Sequence, residues 1–166
     1  MMTTLESPLK FARWDYARRR ADELTRDYSS PPIPVLEIAE QNGVNVVFSD
    51  FGKHRDTVAG FCDFEEARIY VNESDGFGRK MFTIAHEFGH WLLHREFFER
   101  DAKEYAVLPR FQKPRANPFE QEANCFAAEI LAPKHLLLPV KYAGVAQLAD
   151  IFGVSREMME NRLKNV

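Results

Sequence analysis

Between Phe82 and His94 the chain reads FTIAHEFGHWLLH, which places three of its five histidines within nine residues. Apolar positions at Phe82, Ala85, Phe88, Leu92 and Leu93 give the stretch helical periodicity and predict a helix over about Gly78 to Arg95, buried and rigid. On such a helix His86 and His90 differ by one turn plus about 40°. Both imidazoles therefore leave the same face and can converge on one ion. A chain carrying this helix must hold it inside its core and bring further donors to it from elsewhere.

Imidazole is well matched to Zn²⁺, and two imidazoles leave room for a third protein ligand and a water. Glu87 lies about 100° around the axis from His86, which takes it away from the ion and toward a water beside it. That is the position of a general base, with the metal polarising a carbonyl and the carboxylate moving the proton. Hydrolysis of a peptide bond is the chemistry this division of labour serves. Gly89 sits inside an otherwise strong helix, where it costs roughly 1 kcal/mol relative to alanine. Its presence is explained if another backbone approaches closely there. His94 lies one further turn along, about 80° from His86, too far around a straight helix to share the ion. We read it as a polar residue of the last turn, favoured by the helix dipole.

The remaining ligand has to come from another segment, and FEQEANCFAAE offers Glu120, Glu122 and Glu129. Asn124 follows Glu120 by one turn on the same face, so a ligand carboxylate and an amide able to orient a histidine would arrive together. This favours Glu120, with Glu122 as the alternative and Glu129 as a surface or cap residue.

The rest of the chain sets the scaffold. At 166 residues it has the usual length of one domain. We read residues 1–166 as a single unit, with N-terminal helices and sheet over about 9–75, metal-binding helices over about 76–132 and closing helices over about 133–166. Helices are expected over residues 9–28 and from Pro34 to Gly43, separated by the proline-rich SSPPIP. VNVVFSDF, TVAGFCDF and ARIYVN read as strands, the last two as a hairpin. EFFERDAKEYAVLPRFQKPRANP, charged and broken by prolines, reads as an irregular excursion. A helix over Phe119 to Leu131 and two short ones, VAQLADIFG and SREMMENRLKNV, complete the chain, the last with Ser155 as N-cap. Strands followed by helices predict an α+β fold: a short, mostly antiparallel sheet packed against the metal-binding helix, with further helices after it.

A net charge of −3 gives no global basic field, so no direct nucleic-acid binding is expected. LADIFGVSREMMENRL has the look of a helix-turn-helix around Gly153. Its second helix, however, offers only Arg156, Arg162 and Lys164 against Glu157 and Glu160, a poor surface for phosphates. No segment approaches the ~18 apolar residues that a membrane span requires, and no leader is evident. Cys62 and Cys125 have no CxxC spacing and read as reduced thiols. A cytoplasmic protein is expected.

RKMFTIAHEFGHWLLH and FEQEANCFAAEILAP together resemble the ImmA/IrrE-type zinc metallopeptidases, which are minimal gluzincins. PVLEIAEQNGVNVV, GFCDFEEARIYVN and LADIFGVSREMMENRL extend the likeness over most of the chain, from about residue 12 onward. The resemblance implies His86 and His90 as zinc ligands and Glu87 as catalytic base. It also implies Glu120 as third ligand, since the family's ExxAN motif falls on Glu120 to Asn124. It further implies a protein substrate, commonly a helix-turn-helix transcriptional repressor, in a stress response. The alternative class is a metal-binding regulatory or toxin–antitoxin-like module with little proteolysis. An extended substrate would add to an exposed sheet edge, for which Arg68, Tyr70 and Asn72 in RIYVN are the expected contacts. Tyr105, His135 and Tyr142 are candidate donors to an oxyanion, and the sequence does not rank them.

Overall fold

The computed structural model describes residues 9–100, 107–111 and 117–166, with the backbone alone for 107–111. Helix α1 (Trp14–Thr25) buries Ala17, Ala21 and Thr25, a stripe at four-residue steps. It begins five residues later than its periodicity suggests, because the backbone N–H of Arg13 is taken by the carboxylate of Glu122. α2 (Val35–Gln41) is followed by Gly43 at φ +92°, a left-handed turn that L-residues resist.

Three strands then form, β1 (Asn45–Ser49), β2 (Val58–Asp63) and β3 (Arg68–Asn72). β2 and β3 make the expected hairpin, in whose turn the Asp63 carboxylate accepts from the N–H groups of Glu65 and Glu66. A fourth strand, β4 (Val107–Phe111), lies in the segment expected to be irregular. The sheet order is β1-β3-β2-β4, antiparallel except for the β1–β3 pair. β3 is therefore an interior strand, paired along both sides, and cannot be the edge to which a substrate is added. The edges among the described residues are β1 and β4. Pro109, which has no N–H to give, is tolerated on such an edge.

α3 (Phe77–Arg100) is longer than expected at its C-terminal end. Ile69, Val71 and Cys62 face it from the sheet and are fully buried. At Gly60 an added Cβ would fall 2.5 Å from both Thr83 Cγ2 and the Tyr70 carbonyl, so the absence of a side chain there lets α3 settle on the strands. On its other side α3 packs on α4 (Pro118–Leu131), whose N-cap Asn117 accepts from the Glu120 N–H. The Phe88 and Phe126 rings meet edge to face across this interface, 5.5 Å between centroids. α1 in turn packs on α4.

Three short helices close the chain: α5 (Lys134–Leu137), α6 (Val145–Phe152) and α7 (Arg156–Lys164). Gly153 at φ +69° turns α6 into α7, and the Ser155 side chain caps α7 as expected. Arg162 is only 4% exposed; it donates to the Ala132 carbonyl and to Glu129. One of the three cations counted for this helix is thus buried and paired. Glu129, expected at the surface, is its partner in the half-buried layer.

Candidate metal centre

The helical spacing of His86 and His90 places both rings against α4, and both are buried. Their Nε2 atoms are 3.2 Å apart. Glu120 reaches them from the first turn of α4, with Oε2 at 3.1 Å from His86 Nε2 and Oε1 at 2.9 Å from His90 Nε2. For a tetrahedral zinc with Zn–N of about 2.0–2.1 Å, neighbouring donors stand about 3.3 Å apart. The three observed separations approach that figure, and the donor set of two imidazoles and a carboxylate is the one such an ion takes. His86, His90 and Glu120 could hold a metal ion. Burial would raise the Glu120 pKa, but the hydrogen bonds from His86 and His90 override it and hold this carboxyl well below the usual range. At His90 burial pulls the pKa down, while the Glu120 hydrogen bond and nearby carboxylates bring it above its ordinary value.

The two helices can approach this closely because of Gly89. A Cβ on that residue would stand 3.0 Å from Phe126 Cδ1 and 3.3 Å from the Ala123 Cα. The expectation that another backbone crosses at Gly89 is met by α4, the element that carries Glu120.

Glu87 is fully buried. It lies four residues after Thr83, on the side of α3 that meets the sheet, and its charge adds to burial in raising the Cys62 pKa. Its charge also acts on His90. Glu87 is therefore beside the ligand set without sharing in the Glu120 contacts.

His94 does not behave as a polar residue of a last turn. It is buried at 1% exposure, and its Nδ1 is 2.7 Å from His90 Nδ1. Its Nε2 is 3.0 Å from Glu122 Oε1. Burial lowers the His94 pKa to about 4, against the pull of Glu122. Glu122, the alternative ligand, is occupied: Oε2 accepts from the Arg13 backbone N–H at 2.7 Å and from Arg13 Nε at 2.9 Å, and Oε1 from Arg13 Nη2 at 2.9 Å. Burial opposes ionisation of Glu122, yet the His94 and Arg13 hydrogen bonds bring its pKa down to about 2.

Other expected residues are placed elsewhere. Asn124 makes no hydrogen bond to His86 or His90 among the described residues. It lines a cavity of about 730 Å³ beside the metal centre, with Arg18, Arg79, Phe82 and Gln121. His90 Nδ1 faces His94 instead, a contact that four-residue spacing alone could have suggested. Arg68, Tyr70 and Asn72 alternate with Ile69 and Val71 and so lie on the face of β3 turned away from α3. Tyr70 stacks on Phe61 there, and Asn72 is buried, donating to the Arg55 and Val58 carbonyls. The strand order thus removes the edge placement on which their expected substrate contacts were based. The His135 ring donates to the Tyr28 carbonyl, and Tyr142 is 90% exposed. Tyr105 lies outside the described residues. Cys62 is buried and Cys125 half-buried, and both are free thiols.

Fold and donor set together define a small α+β domain with a built metal-binding triad. The chain belongs to the IrrE N-terminal-like domain family, a peptidase family, whose model matches residues 39–164. The match begins after α1, so that helix and Arg13 precede the family span. Among solved structures, a Mycobacterium tuberculosis transcriptional regulator shares the fold with a TM-score of 0.63 and 17% identity. The alignment covers 89% of this chain and 46% of that one, so this chain spans about half its length. No curated protein matches the sequence. Among the described residues no helix is long and apolar enough to cross a membrane.

Proposed function

We propose that this protein is a zinc-dependent endopeptidase that cleaves a regulatory protein, with a helix-turn-helix repressor as the substrate class to try first. The observation that carries the proposal is the convergence of His86, His90 and Glu120 from two helices into one compact donor triangle. When bound there, zinc supplies a Lewis acid for the scissile carbonyl and acidifies water. His86 and His90 hold their Nε2 atoms toward the ion, and Glu120 adds the charge that two neutral imidazoles lack. Glu87, buried beside them, takes the proton of the attacking water and returns it to the leaving amine. Burial takes the carboxylate out of bulk water and strengthens its electrostatic action. A peptide added as a strand would pair with β1 or β4, the open edges of the sheet, and not with β3. Family membership supports the peptidase chemistry, and the likeness to a transcriptional regulator supports a regulatory setting. Two free thiols fit a reducing, cytoplasmic environment.

The same likeness to a transcriptional regulator favours, as second reading, a metal-binding regulatory module. Glu87→Gln separates the two. Under the peptidase reading it retains zinc and loses cleavage of a repressor substrate by about 10²–10⁴-fold, the usual contribution of a general base. Biological activity that persists undiminished in the zinc-loaded variant would assign the protein to the second class.

A further inference from the structure

Arg13, Glu122 and His94 form an unbroken row of hydrogen bonds that ends on His90 Nδ1, the ring nitrogen opposite the one that faces the metal centre. The carboxylate of Glu122 fixes its direction. With Oε1 facing His94 Nε2 at 3.0 Å, a lone pair on that nitrogen would meet the oxygen's lone pairs, so Nε2 carries the proton and donates. Two ring nitrogens 2.7 Å apart need one donor and one acceptor, and a His90 that ligates through Nε2 keeps its proton on Nδ1, so His94 Nδ1 is the acceptor. His90 Nδ1, only 2.7 Å away, must donate to it. With metal bound, the one remaining lone pair of His90 is then on Nε2, the atom directed with His86 Nε2 and Glu120 at the place the ion would take. Arg13 closes the far end, giving Glu122 three N–H donors that hold it as an anion and fix which oxygen meets His94.

We propose that His94, Glu122 and Arg13 are positioning residues that lock His90 in its metal-binding tautomer, so that the start of α1, outside the family span, is a working part of the metal centre. The proposal rests on the assignment of His86, His90 and Glu120 as ligands. A buried ion pair serving only to anchor α1 would need Arg13 and Glu122, but it would not need a neutral histidine between them and a ligand. Partners behind a ligating histidine commonly contribute 10–100-fold in metal affinity.

The test is zinc affinity of the full-length protein, measured by competition with a chromophoric chelator on variants shown to be folded by circular dichroism. His94→Leu and Glu122→Gln are expected to weaken binding by about 10–100-fold, and Arg13→Met by about tenfold. His94→Asn, whose Oδ1 can still accept from His90 Nδ1, is expected to stay within about threefold of wild type. Leu148→Ala, a core truncation in α6, lowers stability without changing affinity. Nitrogen-15 spectra of the zinc-loaded protein give a readout that packing alone does not move: a coupling across the hydrogen bond from His90 Nδ1 to His94 Nδ1 is expected in wild type and is weakened or lost in Glu122→Gln. The proposal is overturned if folded His94→Leu binds zinc as wild type does, if His94→Asn is as weak as His94→Leu, or if no hydrogen-bond coupling links His90 Nδ1 to His94 Nδ1 in the zinc-loaded wild type. The affinity pattern without any peptidase activity would sink the proposed function alone. Zinc-dependent cleavage without the affinity pattern would sink the row alone.

Discussion

Glu120 and Glu122 stand two residues apart on α4, both reaching into the same row of histidines, and they end in opposite circumstances. At Glu122 the protein supplies its own cation: Arg13 gives three hydrogen bonds, and His94 completes the set. At Glu120 the partners are two imidazoles, and among the described residues no lysine or arginine pairs with it. A buried carboxylate has to be compensated. Where a guanidinium does so, the result is a structural ion pair; where only imidazoles converge, the missing positive charge is left to a metal.

The comparison is most sharply broken at its inner end. Glu120→Ala removes one of three protein ligands and should weaken zinc binding by more than about 100-fold, since roughly 10–16 kcal/mol is shared among the donors of such sites. Isothermal titration would show it, and an unaltered affinity would remove Glu120 from the ligand set. Next in size is the helix contact that brings both carboxylates to the histidines. Gly89→Val forces a branched side chain against Phe126 and the Ala123 backbone. It should destabilise the metal-free protein by about 1–3 kcal/mol in urea unfolding, and it should also loosen zinc binding by separating α3 from α4. Metal itself should stabilise the wild type by about 2.7 kcal/mol at a hundredfold excess over its dissociation constant. Glu120→Ala should abolish most of this gain in a thermal melt, while Arg13→Met should keep the greater part.

The smallest effect is one of acid sensitivity. The His94 pKa, ordinarily 6.5, is held at about 4 in the folded protein. Between these values the unfolded chain binds the proton more readily, so His94 contributes stability above pH 6.5 that is lost as pH falls toward 4. Metal-free wild type should therefore show a steeper decline in urea midpoint across this window than His94→Leu. Equal slopes would mean that the ring is not held neutral by its surroundings.

What the sequence disclosed follows the range of the interactions. His86, Glu87 and His90 were legible because one helix turn relates them, and Gly89 because its cost inside a helix called for a compensating contact. Glu120 came from a same-face relation within a second helix, together with the family resemblance. His94 was misread because its carboxylate partner Glu122 lies 28 positions away and is itself held by Arg13, 109 positions before Glu122, relations that no local spacing announces. The misplacement of β3 has a similar origin: its second neighbour, β1, is parallel and lies 23 positions earlier in register, a pairing without a hairpin signal. β4 was lost among charged and proline-rich neighbours that mask its strand character.

The close crossing at Gly89 also bears on which ion the protein can keep. Because a bare hydrogen faces Phe126 and the Ala123 backbone, the distance between α3 and α4 is set by main-chain contact and cannot relax inward, while packing of Phe88 on Phe126 resists movement outward. The crossing acts as a pair of calipers set to separations of 2.9 and 3.1 Å between the imidazoles on α3 and the carboxylate on α4. A small four-coordinate ion fits within that opening, whereas calcium, with oxygen contacts of about 2.3–2.6 Å and six to eight ligands, would have to pry the helices apart. Selection of the ion is thus written partly in a side chain that is not there.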